Sequence, residues 1–289
     1  MLEKNYTIIK DPPSAVPMHE YIGAAVKQYH EMLENPALDE KAYQLFFEEN
    51  PAFIPGAFEV IGCSGHDAYL GALISQPRIG GDLIRIPDFM WLASDSLSFC
   101  PVLIEIEKPS KVQFKNNNVP YAKFNQALDQ ITEWKALLED PDNRERFYET
   151  FSIPDKLRGR VFAPQYLLIY GRRSEYEDDS FKRNKRYHMQ SSDTVIMSFD
   201  RLNPIQDAYN VVSAQVSGGK YYVKHIPPTY VYEPWRAEYL PLLCGFKERI
   251  KDIKMISEER RRFLYDRFDY WNEIGKRGVR GIMEPTDRE

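Results

Sequence analysis

Hydrophobic residues recur along this chain in two rhythms, one helical and one alternating. From 19 to about 34, Ile22, Ala25, Val26, Tyr29 and Leu33 fall at helical spacing, and Asn35-Pro36 ends the run. A second helix is expected over 39–50, with Tyr43, Phe46 and Phe47 on one face and Pro51 as its stop. Ahead of both, Pro12, Pro13 and Pro17 discourage regular structure, so the first residues read as an arm. Residues 57–75 alternate loosely around Gly62, Gly65 and Gly71, which predicts two short strands and a turn. The run 84–92 reads as a strand, bent or at a sheet edge because Pro87 lacks an N–H. A polar turn separates it from 102–107, the strongest strand signal, so the two form an expected hairpin.

A long helix follows over 121–138, carrying Phe124, Leu128, Ile131, Trp134 and Leu138 at helical spacing. The charged segment 141–160 is helical or irregular, and 165–170 and 194–199 supply two more buried strands. Helices interleaved with strands in this order imply an α/β fold with a mixed central sheet flanked by helices. The expected division is an N-terminal arm and helix (1–38), a core (39–205) and a C-terminal extension (206–289). The extension is Tyr- and Pro-rich first and a charged helix afterwards. In that helix Phe263, Phe268 and Trp271 form a packing face or a face for a homo-oligomer.

Composition adjusts this picture in a few places. With 43% hydrophobic and 28% charged residues in 289, the chain suits a folded protein with a substantial core. The apolar runs are strand-sized, so no membrane span is expected, and MLEKNYTIIKDPP lacks the apolar run of a secretory signal. Cys63, Cys100 and Cys244 have no CxxC spacing. Neither a disulfide framework nor a structural zinc site is expected, and a cytoplasmic setting fits. The net charge of −5 gives no global basic footprint, so any phosphate-binding surface must be a local patch.

The sharpest chemical constellation is IPDF at 86–89 followed by LIEIEKP at 103–109. Side chains alternate along a strand, so Glu105 and Glu107 share a face while Lys108 starts on the other. In a hairpin, Asp88 can approach Glu105. Carboxylates converging away from water repel one another and require a cation. Hard oxygen ligands of this kind suit Mg²⁺ or Mn²⁺. An ExE on a strand is ordinarily the solvated face of an edge. Here, however, the pair follows an apolar run typical of a buried strand.

The spacing of Asp88, Glu105 and Lys108, followed by a helix bearing Gln126, resembles the PD-(D/E)xK (restriction-endonuclease-like) nuclease superfamily. More narrowly, FFEENPAFIP, IPDF, LIEIEKPS, FNQALDQITEW, YLLIYGR and VIMSFDRL, in that order, resemble the nuclease domain of Shedu antiphage-defence proteins over roughly 40–205. The resemblance implies a metal-dependent endonuclease acting on DNA. Asp88 and Glu105 would be metal ligands, with the Ile106 carbonyl a third. Glu107 stands where the family's lysine is usual, so Glu107, as a proton acceptor or a further metal ligand, or Lys108, turned inward by a bulge, would take that place. Gln126 would contact the scissile phosphate or the metal-bound water. Glu48 or Glu49 would add an acid from the preceding helix, Glu49 as a metal ligand.

For DNA, Lys108, Lys111, Lys115 and Lys123 flank the motif, and Arg172-Arg173 follows a strand. Farther on lie Lys182, Arg183, Lys185 and Arg186, and in the tail the Arg260–Arg262 cluster. Such residues would contact phosphates without reading sequence. The five histidines are scattered, and no nucleophile elbow or Gly-rich phosphate loop appears. The alternative is a nuclease-fold module that binds nucleic acid or a partner without cutting, which the Glu at 107 favours.

Overall fold

A computed structural model of the chain describes residues 4–58, 68–81, 83–278, 284 and 286–289. Among the described residues nine strands form one mixed sheet. They are β1 (Ala72–Ser75), β2 (Phe89–Ser94), β3 (Ser98–Ile106), β4 (Val161–Phe162), β5 (Gln165–Ile169), β6 (Thr194–Met197), β7 (Val212–Ser217), β8 (Lys220–His225) and β9 (Leu243–Cys244). The order across the sheet is β6-β5-β3-β2-β1-β7-β8-β9, with β4 beside β3. The helices are α1 (Met18–Leu33), α2 (Glu40–Glu49), α3 (Ala122–Glu139), α4 (Pro141–Thr150), α5 (Asp155–Arg158), α6 (Ser180–His188), α7 (Phe246–Arg249) and α8 (Glu258–Lys276).

The sheet is buried on both faces, which makes three layers. Strand alternation sends Met90, Leu92, Phe99 and Leu103 to one face, against Phe124, Ile131, Trp134 and Leu138 of α3 and Trp271 of α8. It sends Phe89, Trp91, Val102, Ile104 and Ile106 to the other, against Tyr29 of α1 and Tyr43, Phe46 and Phe47 of α2. A sheet buried on both faces reads as continuous apolar runs, which is why 102–106 carries so strong a signal. The α/β class and mixed sheet are as expected.

The differences have physical causes. β2 begins only at Phe89, because Pro87 offers no N–H to a ladder and residues 83–88 leave the sheet. Of the two strands expected over 57–75, β1 is described at 72–75, and 59–67 lie outside the described residues. The segment read as an extension supplies β7, β8 and β9 to the same sheet, with β7 parallel to β1. Cys100 on β3 is disulfide-bonded, a bond the cysteine count argued against, while Cys244 is free. Among the described residues no helix is long and apolar enough to cross a membrane.

The tail is core, not periphery. Trp271 is fully buried, and Phe263 and Phe268 pack against the same cluster. Arg260, proposed with Arg261 and Arg262 as a basic patch, is only 1% exposed. Its guanidinium grips both Glu289 carboxylate oxygens at 2.6 Å and the carbonyls of Pro13 (2.8 Å) and Tyr230 (2.7 Å). One side chain thus ties the arm, a core loop and the last residue to α8. Removing one partner of a buried pair leaves the other charge uncompensated, at a cost of about 3–5 kcal/mol. Arg260→Met is expected to lower the unfolding free energy by about that amount, read as a lower urea midpoint. An unchanged midpoint would contradict the anchoring role.

Candidate metal centre

Antiparallel pairing sets the central pair. Phe89 lies opposite Ile104, so Asp88, one residue earlier, falls opposite Glu105. Residues directly opposite across antiparallel strands share a face. The chain leaving β2 at Pro87 also strips Ile106 of a backbone acceptor on that side. Glu107 N–H continues the other ladder by donating to the Ile169 carbonyl at 3.0 Å, whereas Ile106 N–H donates instead to Asp88 Oδ2 at 2.7 Å. The Asp88 carbonyl accepts from Gln76 N–H (2.8 Å) and from the Gln44 amide (3.4 Å). The bend is therefore held from three sides.

Glu105 is 9% exposed, and the Gln130 side-chain amide on α3 bonds its carboxylate. Burial pushes Glu105 up to about 9, with the neighbouring Asp88 and then Glu40 adding to the rise. Burial likewise pushes Asp88 up to about 7, against the opposing hydrogen bond from Ile106. Lys111 pulls both downward and is outweighed. Lys111 forms an ion pair with Glu107 and lies 3.6 Å from Glu40. A buried and a half-buried carboxylate, both opposed in ionising by desolvation and by neighbouring acids, make a donor set short of positive charge. That fits a hard divalent cation, which takes one or two protein carboxylates and keeps several waters.

α2 lines the edge of this site with residues spaced one turn apart. Asp39 caps it, accepting from Ala42 N–H at 3.0 Å. Glu40 faces Lys111. Gln44 reaches the Asp88 carbonyl, Ser75 Oγ (3.2 Å) and Glu48 (3.3 Å). Glu48, 2% exposed, bonds Ser75 Oγ and pairs with Lys224 of β8 at 2.6 Å. A step of i, i+4, i+8 keeps all three on one side.

Several expected members are placed elsewhere. Glu49, one helical step from Glu48, turns away to pair with Lys254 at 2.7 Å and is not beside Asp88. Glu107 shares the Glu105 face, but Lys111 holds it. Among the described residues no group of three or more His, Cys, Asp or Glu stands ready to hold a metal. Lys108 is half-buried and makes no ion pair among the described residues. Gln126 is exposed, and Gln130, one turn along, is the glutamine that reaches the motif. Arg172 is committed to Asp200 (2.8 Å), the Leu33 carbonyl (2.9 Å) and Glu34 (3.4 Å), so it pins α1 to β5. Arg173 N–H donates to Asp200 at 2.6 Å. Lys115 lies over the Tyr121 ring, and Lys123 is exposed. Glu40 and Gln44 were not singled out from sequence, and Gln130 was read there only as a companion of Gln126 on the same helix face. The i, i+4, i+8 spacing on α2 and the repeat of Gln at i+4 on α3 were the available signals.

A family model described as "Shedu protein SduA, C-terminal" matches residues 37–203, more than half of the chain. The chain belongs to the Shedu family. Membership implies a role in antiphage defence. The matched span contains α2, β2, β3, α3, β5 and β6, hence both central carboxylates. No curated protein matches the chain.

The raised pKa values of this Shedu chain have a consequence for stability. Folded Asp88 and Glu105 hold protons that the unfolded chain releases near its ordinary carboxylate range. Stability in chelator therefore falls as pH rises from about 4 through 7 to 9. Asp88→Asn and Glu105→Gln are expected to raise the metal-free melting temperature by a few degrees at pH 8, the gain fading toward pH 4. Thermal melts in EDTA at both pH values check this, and lower melting temperatures at pH 8 would refute it.

Proposed function

We propose that this Shedu-family chain is a Mg²⁺- or Mn²⁺-dependent endonuclease that hydrolyses phosphodiester bonds in DNA, with Asp88 and Glu105 holding the ion on a PD-(D/E)xK-type core. The observation that carries it is the placement of the half-buried Asp88 opposite the buried Glu105 on one face of the β2–β3 pair, each resisting ionisation without a cation. A divalent ion held there lowers the pKa of a bound water and offsets charge on a phosphoryl group.

The chain's own groups do the rest of the preparation. The Ile106 N–H and the Gln44 amide fix Asp88, and Gln130 fixes the Glu105 carboxylate. Both acids give up their protons when ligand charge arrives, so occupancy rises with pH. Lys111 and Glu107 sit beside them as an ion pair, placed to offer an ammonium to substrate phosphate and a carboxylate to a departing proton. Glu107 in place of the usual lysine supports a second reading, a module that binds DNA without cutting.

Cleavage of supercoiled and linear DNA with Mg²⁺ or Mn²⁺, alongside calorimetry of Mn²⁺ binding, separates the two. Wild type is expected to bind Mn²⁺ and cut. Asp88→Ala and Glu105→Ala are expected to remain folded, lose the Mn²⁺ heat and lose about two orders of magnitude or more of cleavage rate. Mn²⁺-independent DNA binding without cleavage in the wild type would select the second reading.

A further inference from the structure

Two segments distant in sequence carry basic residues and no acids. Residues 108–128 contain Lys108, Lys111, Lys115 and Lys123 without one Asp or Glu, and residues 180–192 contain Lys182, Arg183, Lys185 and Arg186 likewise. In a chain with 43 acidic and 38 basic residues, such segregation is uncharacteristic of the whole. The fold joins them. Lys185 Nζ donates to the Asn118 carbonyl at 2.8 Å and lies over the Phe114 ring. Arg186, 6% exposed, bonds Gln113 and, at 3.3 Å, the Tyr170 carbonyl. The acids preceding α6 are partly spent on backbone: Glu175 accepts from Gln113 and Phe114 N–H, and Asp179 caps α6.

With Arg186 turned inward, helical geometry turns Phe181, Asn184, Tyr187 and His188 outward. Exposure agrees, at 59% for Phe181 and 69% for Tyr187, and the Tyr187 and His188 rings meet edge to face. Tyr121, 43% exposed, stands at the start of α3 under Lys115. The joined surface therefore alternates aromatic faces with cations. It lies at the end of β3 and β5 where Glu105 and Glu107 sit, and Lys111 belongs to both.

We propose that α6 and the 108–123 segment form a binding surface for single-stranded nucleic acid, with Phe181 and Tyr187 stacking on unpaired bases and the flanking lysines and arginines tracking the backbone. It deepens the nuclease reading by naming the substrate form that reaches the carboxylates. Cations alone would suit any polyanion, but exposed rings gain only from bases whose faces are free, as they are in a single strand.

The test is fluorescence anisotropy of a labelled DNA strand of about 20 nucleotides and of the matching duplex, with the full chain in EDTA to prevent cleavage. Wild type is expected to bind the single strand more tightly. Phe181→Ala/Tyr187→Ala is expected to weaken that binding about tenfold or more with its salt dependence unchanged, and to leave duplex binding within about twofold. Lys115→Ala/Lys185→Ala is expected to weaken both and flatten the salt dependence. Circular dichroism confirms that each variant folds. Equal losses on strand and duplex, no effect of the aromatic pair, or no single-strand binding by wild type would each overturn the proposal. Binding that follows this pattern in a chain that never cuts would instead remove the nuclease reading and leave the surface standing.

Discussion

Two carboxylates facing each other across neighbouring strands, Glu105 buried and Asp88 half-buried, set the constraint on which the candidate site rests. Neither Asp88 nor Glu105 ionises readily where it lies, because burial and mutual repulsion act in the same direction. The surroundings only partly relieve this. Ile106 N–H and Gln130 donate hydrogen bonds, and Lys111 adds one positive charge that it also shares with Glu107 and Glu40.

The rest of the architecture keeps that pair from relaxing. β3 is flanked by β2 and β5 and covered on both faces, so Glu105 cannot swing into solvent without unpacking a strand. The Asp88 bend is held by Gln76, Gln44 and Ile106 together. The polar side of α2 is itself tied down at its far end, where Glu48 pairs with Lys224 of β8. The C-terminal strands therefore support the candidate site through α2, although none of their residues touches the central carboxylates.

Charge is distributed with the same economy. Basic residues that looked equivalent along the chain divide into three uses. Arg172, Arg186 and Arg260 are internal clamps on carbonyls and carboxylates. Lys111 and Lys224 balance acids beside the site. Lys115, Lys123 and Arg183 stay nearer the surface, Lys115 over the Tyr121 ring. An acidic chain can thus present a local basic face, since a field is set by neighbouring charges and screened beyond about 10 Å.

Local periodicity made much of this fold legible. The helices α1, α2 and α3, the hairpin of β2 with β3, and strands β5 and β6 follow from spacing, prolines and apolar runs. The hairpin also placed Asp88 near Glu105, because pairing across a short turn is a local event. Spacing alone was blind to side-chain direction and to long-range partners. It could not separate Glu48 from Glu49, Gln130 from Gln126, or Lys111 from Lys108, since one helical step or one loop turn decides each. It also left β7 to β9 unread, because their alternation is short, interrupted and rich in tyrosine, and their place beside β1 is settled by partners more than 100 residues away. Sequence determined the elements and the acidic pair, whose causes lie within a few residues. Tertiary packing decided what surrounds that pair, whose causes lie across the sheet.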